Sequence, residues 1–345
     1  MKVLFLSSAP PPKIPGTDAV HQEMTVLADT VSGEIVHLHP FENPAWRFPM
    51  AAMGLTRLPQ ILSQAAKSDV VHVINPTLYA FPFLRMIKKP IVYTVSASLG
   101  PAVPLQKTGF LDRLAAVVVS NTRDEGKLKQ LGLTNVCRVN PGHDLSKFAK
   151  LRKQQERPDG GQIKLLSASA PWTLSQFETK GIDALLAGIA ASSRLALTLV
   201  MRGSFREMVE QKIGTLAIAD RVTVLDGGQD IAALMTNLDC AVLAATTPDV
   251  VKAWPHSLLE ALAAGRPVIV SGQLPISDFV EKSGCGIVLE TVNAGAIAQA
   301  AEAIADDPEP YFTATKAFRW KDFSPEVMIQ SYRAIYRAAA ERGQA

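Results

Sequence analysis

Cysteine is scarce in this chain: Cys137, Cys240 and Cys285 are widely spaced and odd in number. That pattern fits neither a disulfide framework nor a zinc site, and a reducing cytoplasm is its simplest home. Long hydrophobic runs are missing as well. The apolar stretch Val3-Leu4-Phe5-Leu6, directly after Met1-Lys2, is too short for the core of a signal peptide or for a membrane span, so no integral membrane segment is expected. There is no internal repeat and no low-complexity tract. A net charge of +3 on 345 residues gives no footing for a nucleic-acid partner. What imbalance exists is local: residues 1–150 carry 16 Lys/Arg against 10 Asp/Glu, and the remainder 19 against 22. The surplus could steer an anionic acceptor or a membrane surface toward the front half, or simply coat a solvated face.

An apolar fraction of 48% can bury large cores, and 345 residues exceed what one core normally serves, so two domains are expected. Apolar runs of strand length alternate with segments of helical period: Val3–Leu6, a helix from Val20, then Ile35–Leu38, Val70–Ile74, Ile91–Val95 and Ala115–Val119. Such alternation means βαβ units around a parallel sheet. In the first helix Val20, Met24, Leu27 and Val31 share a face, Asp18 is placed to cap it and Gly33 to stop it. The polar stretch 154–161, with Pro158, Gly160 and Gly161, reads as a linker. Beyond it a second series runs through Ile163–Leu166, a helix at Gly181–Ala191, Leu195–Met201, Val222–Leu225, Ala241–Leu243, a helix at Ser257–Ala264 and Val268–Val270. Ser324-Pro325-Glu326 opens a terminal helix. The predicted architecture is α/β: Rossmann-like domains over 1–153 and 162–323 facing a cleft, and a closing helix over 324–345. Ligands of open α/β sheets bind beyond the carboxyl ends of the strands.

The richest segment is Trp254-Pro255-His256-Ser257-Leu258-Leu259-Glu260, followed by Ala-Leu-Ala-Ala-Gly-Arg-Pro-Val. Pro255 and Ser257 sit where a helix begins, leaving the amides of His256, Ser257 and Leu258 open at the positive end of its dipole, a seat for a diphosphate. Glu260 follows closely. Its carboxylate can accept from two neighbouring hydroxyls, as a ribose offers, or can merely complement the dipole, and spacing alone leaves both readings open.

This segment resembles glycosyltransferase family 4, the group 1 glycosyltransferases of the GT-B fold. In that family two glutamates bracket the helix start, the second binding the nucleotide ribose and the first the donor sugar. Glu260 matches the second, while Lys252 stands where the first belongs. Other landmarks fall in family order over nearly the whole chain. Ser7-Ser8-Ala9-Pro10-Pro11 with Gly16 resembles the first loop, where glycine lets backbone approach the donor phosphates. Asp69-Val70-Val71-His72-Val73 resembles a marked strand, and Val139-Asn140-Pro141-Gly142-His143 the end of the N-terminal domain. Lys180-Gly181-Ile182-Asp183 resembles the lysine and helix that bind the donor diphosphate; as a catalytic group, Lys180 would neutralise the departing nucleotide. The alternative is an exposed lysine before a helix. Where the family carries an arginine this chain has Ser169, and Arg202 is the candidate substitute. Where it carries an acceptor-side histidine there is Ser96, which cannot serve as a base near neutral pH, and His21 is the candidate replacement.

The resemblance implies a retaining transfer from a nucleotide-diphosphate sugar to a sugar, lipid-linked or small-molecule acceptor, with no obligatory cofactor. No Asp-x-Asp metal motif lies near the phosphate seat. The departures at Ser96, Ser169 and Lys252 also suit a nucleotide-binding or scaffolding partner without turnover, and a nucleotide-sugar epimerase of the same fold is a third reading. Trp46, Phe48, Met50, Met53 and Leu55 near Arg47 and Arg57, with Phe81, Phe83 and Met86 near Arg85, Lys88 and Lys89, suit either a peripheral membrane contact or helices packed on the sheet with basic outer faces.

Overall fold

The computed structural model describes residues 1–12, 18–41, 48–100, 110–111, 113–152, 161–201, 205–226 and 228–342. The chain divides into two compact units, Met1–His143 with Phe323–Ala345, and Asp144–Asp322. The first runs β1 (Val3–Ser7), α1 (Ala19–Thr30), β2 (Glu34–His37), α2 (Leu58–Lys67), β3 (Val70–Asn75), β4 (Ile91–Val95), β5 (Ala116–Val119), α3 (Thr122–Gln130) and β6 (Val136–Arg138). The second runs α4 (Ser146–Leu151), β7 (Ile163–Ser167), α5 (Gln176–Thr179), α6 (Ile182–Ala191), β8 (Leu195–Met201), α7 (Arg206–Thr215), β9 (Val222–Asp226), α8 (Ile231–Met235), β10 (Cys240–Leu243), α9 (His256–Ala263), β11 (Val268–Ser271), α10 (Ser277–Ser283), β12 (Gly286–Leu289), α11 (Ala294–Asp306) and α12 (Pro308–Ala314). A last helix, α13 (Pro325–Arg342), belongs to the first unit.

Each unit is built on a parallel six-stranded sheet, in the order β2-β1-β3-β4-β5-β6 in the first and β12-β11-β10-β7-β8-β9 in the second. The second is the dinucleotide-fold order; the first starts as the flavodoxin-like order does. Helices cover both faces of such sheets, which explains why β1, β3, β5, β10 and β11 are buried along their whole length and read as largely apolar runs. The edge strands β6 and β12 lie outside the strands read from the sequence, being only three and four residues long and half-exposed.

Local signals hold where side chains make them. Asp18 caps α1, its carboxylate accepting from the His21 amide at 2.7 Å. The helix ends before Gly33, which serves a close approach: a Cβ there would lie 2.6 Å from the Phe5 ring and 2.8 Å from the Ala28 backbone. The division between units falls at His143/Asp144, ahead of the polar stretch 154–161. Residues 144–152 belong with the second unit because α4, with Phe148 buried, packs on α8 and α9, and Arg152 Nη2 donates to the carbonyls of Leu262 at 2.7 Å and Thr315 at 3.3 Å.

The terminal helix is held to the first sheet by apolar packing and one buried polar chain. Met328, Tyr332, Tyr336 and Ala339 pack among Val3, Phe5, Val70 and Val92. His72, fully buried on β3, has both ring nitrogens engaged: Nδ1 with Tyr336 Oη at 2.7 Å, and Nε2 with Thr94 Oγ1 at 2.7 Å, which in turn meets Tyr332 Oη at 2.9 Å. Burial lowers the pKa of His72 from 6.5 to about 3. As pH falls below 6.5 the unfolded chain therefore takes up this proton while the folded one does not, and stability drops by about 1.4 kcal/mol per pH unit until the native ring titrates. Urea unfolding at pH 7 and pH 5 should show a component of about 2 kcal/mol that is present in the wild type and missing from His72→Gln.

Candidate active site

In the second unit the strand order reverses between β7 and β10: the chain leaves β7 toward β8 and β9, and leaves β10 toward β11 and β12. Loops leaving the two carboxyl ends part there and open a crevice, the ligand site of such sheets. The loops are stitched together. The Thr246 amide donates to the Thr179 carbonyl at 2.9 Å, and Gly181, at φ 72°, is so close to the end of β10 that a Cβ would stand 2.0 Å from the Ala244 oxygen. Glycine is required there for conformation and for space. The adjoining Lys180 is buried, 7% exposed, with Nζ 2.6 Å from the Ala170 carbonyl oxygen on the loop after β7. A lysine merely decorating the surface before a helix does not fit this burial. An enclosed ammonium is costly unless something anionic or strongly hydrogen-bonding compensates it.

The other side of the crevice is the segment from Ala244 to α9. Pro255 precedes the helix in extended conformation and offers no side-chain cap. The Leu258 amide, expected to be open, donates to the Pro255 carbonyl at 3.1 Å, as does that of Leu259, because the helix opens on a tight turn. The Ser257 amide has no partner among the described residues. His256 is buried at the first helical position. Glu260 is the fifth residue of α9, half-buried and beyond the first turn, where the helix dipole has faded; its dipole-complementing reading loses its basis. Lys252 is half-buried, three residues ahead of Pro255. Lys180, Lys252, His256, Ser257 and Glu260 thus lie on the loops and helix starts leaving two neighbouring strands. Gly16 and Arg202 lie outside the described residues. No group of three or more His, Cys, Asp or Glu able to hold a metal occurs among the described residues.

In the first unit the reversal lies between β1 and β3, bridged by the Ser8 amide to the Ile74 carbonyl at 3.2 Å. Ser96 follows β4, its amide donating to the Asn75 carbonyl at 2.9 Å. His21 is in the first turn of α1 and stacks on His37, a residue the sequence reading passed over. The available signal was a histidine closing a parallel strand at its carboxyl end. Of the apolar and basic mixture on this unit, Phe81 and Phe83 are buried and Met50 and Met53 pack against the core, as helix packing requires; Leu55 and Met86 remain exposed beside Arg57, Arg85 and Lys88. Trp46 and Arg47 lie outside the described residues. No helix among the described residues is long and apolar enough to cross a membrane.

Residues 173–319, most of the second unit, match the family model for glycosyl transferases group 1. This segment is a group 1 glycosyl transferase domain. Among solved structures the whole chain has the GT-B fold. It superposes on Anabaena HepE in complex with UDP-glucose at TM-score 0.70 and 16% identity, covering 97% of this chain and 98% of that one. Sucrose-phosphate synthase from Thermosynechococcus elongatus gives 0.71 and 18%, with 98% of each chain covered. A glycosyltransferase from Rickettsia africae gives 0.66 and 15%, again over 98% of each. Among curated proteins none matches the sequence. The strand reversal in the group 1 domain depends on Gly181, so Gly181→Ala should cost at least about 2 kcal/mol in urea unfolding. Gly214→Ala on α7, where a Cβ would meet nothing within 4 Å, should be neutral or stabilise by about 0.5 kcal/mol.

Proposed function

We propose that the chain is a retaining glycosyltransferase: the Asp144–Asp322 unit binds a nucleotide-diphosphate sugar, and the other unit binds the acceptor. The observation that carries this reading is the buried Lys180 ammonium at the strand reversal of the group 1 domain. An ammonium held there neutralises charge as the nucleoside diphosphate departs, and the preorganised donor costs no reorganisation during the reaction. The Ser257 amide at the start of α9 supplies a further donor to a phosphate oxygen, and Glu260, one turn on, accepts from the ribose hydroxyls. Gly16 and Arg202 keep their proposed places around the phosphates, and Ser96 its place on the acceptor side.

UDP is the first nucleotide to test, since HepE was solved with UDP and UDP-glucose. Calorimetry with UDP, GDP and ADP should find one ligand bound by the wild type. Glu260→Ala should weaken it by about tenfold, the loss of a hydrogen-bonded charged acceptor, with the unfolding midpoint unchanged. Equal affinity in a folded variant would remove Glu260 from the site. Retention is read from the anomeric configuration of the product by proton NMR.

Lys252 stands where the family places a carboxylate beside the donor sugar, and we propose that it selects donors bearing an anionic group, such as a uronic acid. Reversing a contact charge changes selectivity by attraction and by repulsion. Turnover of uronic-acid over neutral donors should fall by about tenfold in Lys252→Glu; an unchanged ratio would end the idea. The neutral serines at 96 and 169 favour a second reading, a nucleotide-binding partner without turnover. Nucleotide release over a donor panel separates the two: a transferase releases diphosphate with acceptor, an inert partner releases none, and an epimerase would interconvert free donors.

A further inference from the structure

At the carboxyl edge of the first unit's sheet two imidazoles face each other. His37 closes β2 and His21 stands in the first turn of α1, with ring centroids 5.7 Å apart and planes 27° from parallel. His37 is anchored from one side. Its Nδ1 lies 2.7 Å from the Ala9 carbonyl oxygen, which also accepts from Ser7 Oγ at 3.2 Å. A carbonyl only accepts, so Nδ1 carries the hydrogen and Nε2 of the neutral ring is left as an acceptor. No described residue bonds that nitrogen, and the buried Nδ1 of His21 has no partner either. A buried polar atom without a partner is unusual, and the one on His21 lies beside the open His37 acceptor at the carboxyl edge, where ligands of open α/β sheets bind.

The surroundings hold His37 uncharged. Burial lowers its pKa from 6.5, the Ala9 bond opposes this, and the charges of His21 and Arg57 lower it further. The Asp18 carboxylate, three residues before His21, accepts from the His21 amide. A ring kept neutral with a fixed tautomer suits a hydroxyl, which can donate to it, and does not suit an anion, which cannot.

We propose that His37, oriented by Ala9 and stacked on His21, is an acceptor-binding residue whose Nε2 takes a hydrogen bond from a hydroxyl of a carbohydrate acceptor. This assignment rests on the reading that the first unit receives the acceptor, and it places the acceptor-side histidine at the end of β2.

Nitrogen NMR on the full chain labelled at histidine tests it, with glucose as the neutral probe and inorganic phosphate as the anionic one. The wild type should show His37 as the Nδ1–H tautomer with a pKa below 6.5, and glucose should shift its Nε2 resonance while phosphate does not. His37→Asn keeps a side-chain N–H for the Ala9 carbonyl but has no acceptor in place of Nε2; it should bind glucose at least tenfold more weakly with UDP affinity within twofold of wild type. If His37→Asn does not fold, the wild-type titration decides alone. An Nε2 that ignores glucose, or answers phosphate instead, overturns the assignment. Failure of the wild type to bind UDP counts against the donor reading, whereas bound UDP with a silent His37 defeats only this one.

Discussion

The second unit turns on the contact between Gly181 and the Ala244 carbonyl. Where β7 and β10 send the chain in opposite directions, the helix start after β7 reaches the end of β10, and the two are closer there than any side chain allows. The contact draws Lys180 inward with it, so the burial of that ammonium follows from the backbone path and not from its own solvation. An ammonium held this way is preorganised: the cation is fixed by the same contact that fixes the sheet, so an anionic ligand need not order it.

The first unit obeys the same topological rule but buries its polar groups differently. Its reversal, between β1 and β3, is spanned by a backbone bond from Ser8, and Ser7, Asn75, Ser96 and two histidines stand at the strand ends around it. A phosphate seat needs fixed positive potential, whereas a hydroxyl-rich ligand needs open donors and acceptors without net charge. The two sheets thus present different chemistry at the carboxyl ends of their strands.

Much of this was legible in the sequence. Largely apolar runs announced strands buried on both faces, and Asp18 and Ser324 marked helix starts at which each side chain accepts a backbone amide. Lys180 and Glu260 were singled out by the resemblance of their segments to family motifs, since spacing alone left the bland readings open. What escaped was set by tertiary structure. The strands β6 and β12 are short edges with little burial to enforce a pattern, and α4 falls to the second unit through packing on α8 and α9 that no local signal encodes. The Leu258 amide was misjudged because a tight first turn satisfies a group that an ideal α-helix leaves open.

Histidine shows where sequence reasoning stops and hydrogen-bond accounting begins. His72 lies in a strand that resembles a family motif, and it is fully buried with both nitrogens satisfied, which makes it a structural link between β3, β4 and α13. His37 carries no motif. Its ring is half-buried, tied at one nitrogen and open at the other, and its neighbour His21 has a buried nitrogen with nothing to bond. Saturated polar groups in a core specify packing, while unsaturated ones at a sheet's carboxyl edge keep capacity for a ligand. By that criterion the pair of rings beside Ala9 is where the first unit keeps capacity for a ligand, and under the proposed acceptor reading a serine at position 96 is no anomaly, because an imidazole stands at the end of another strand.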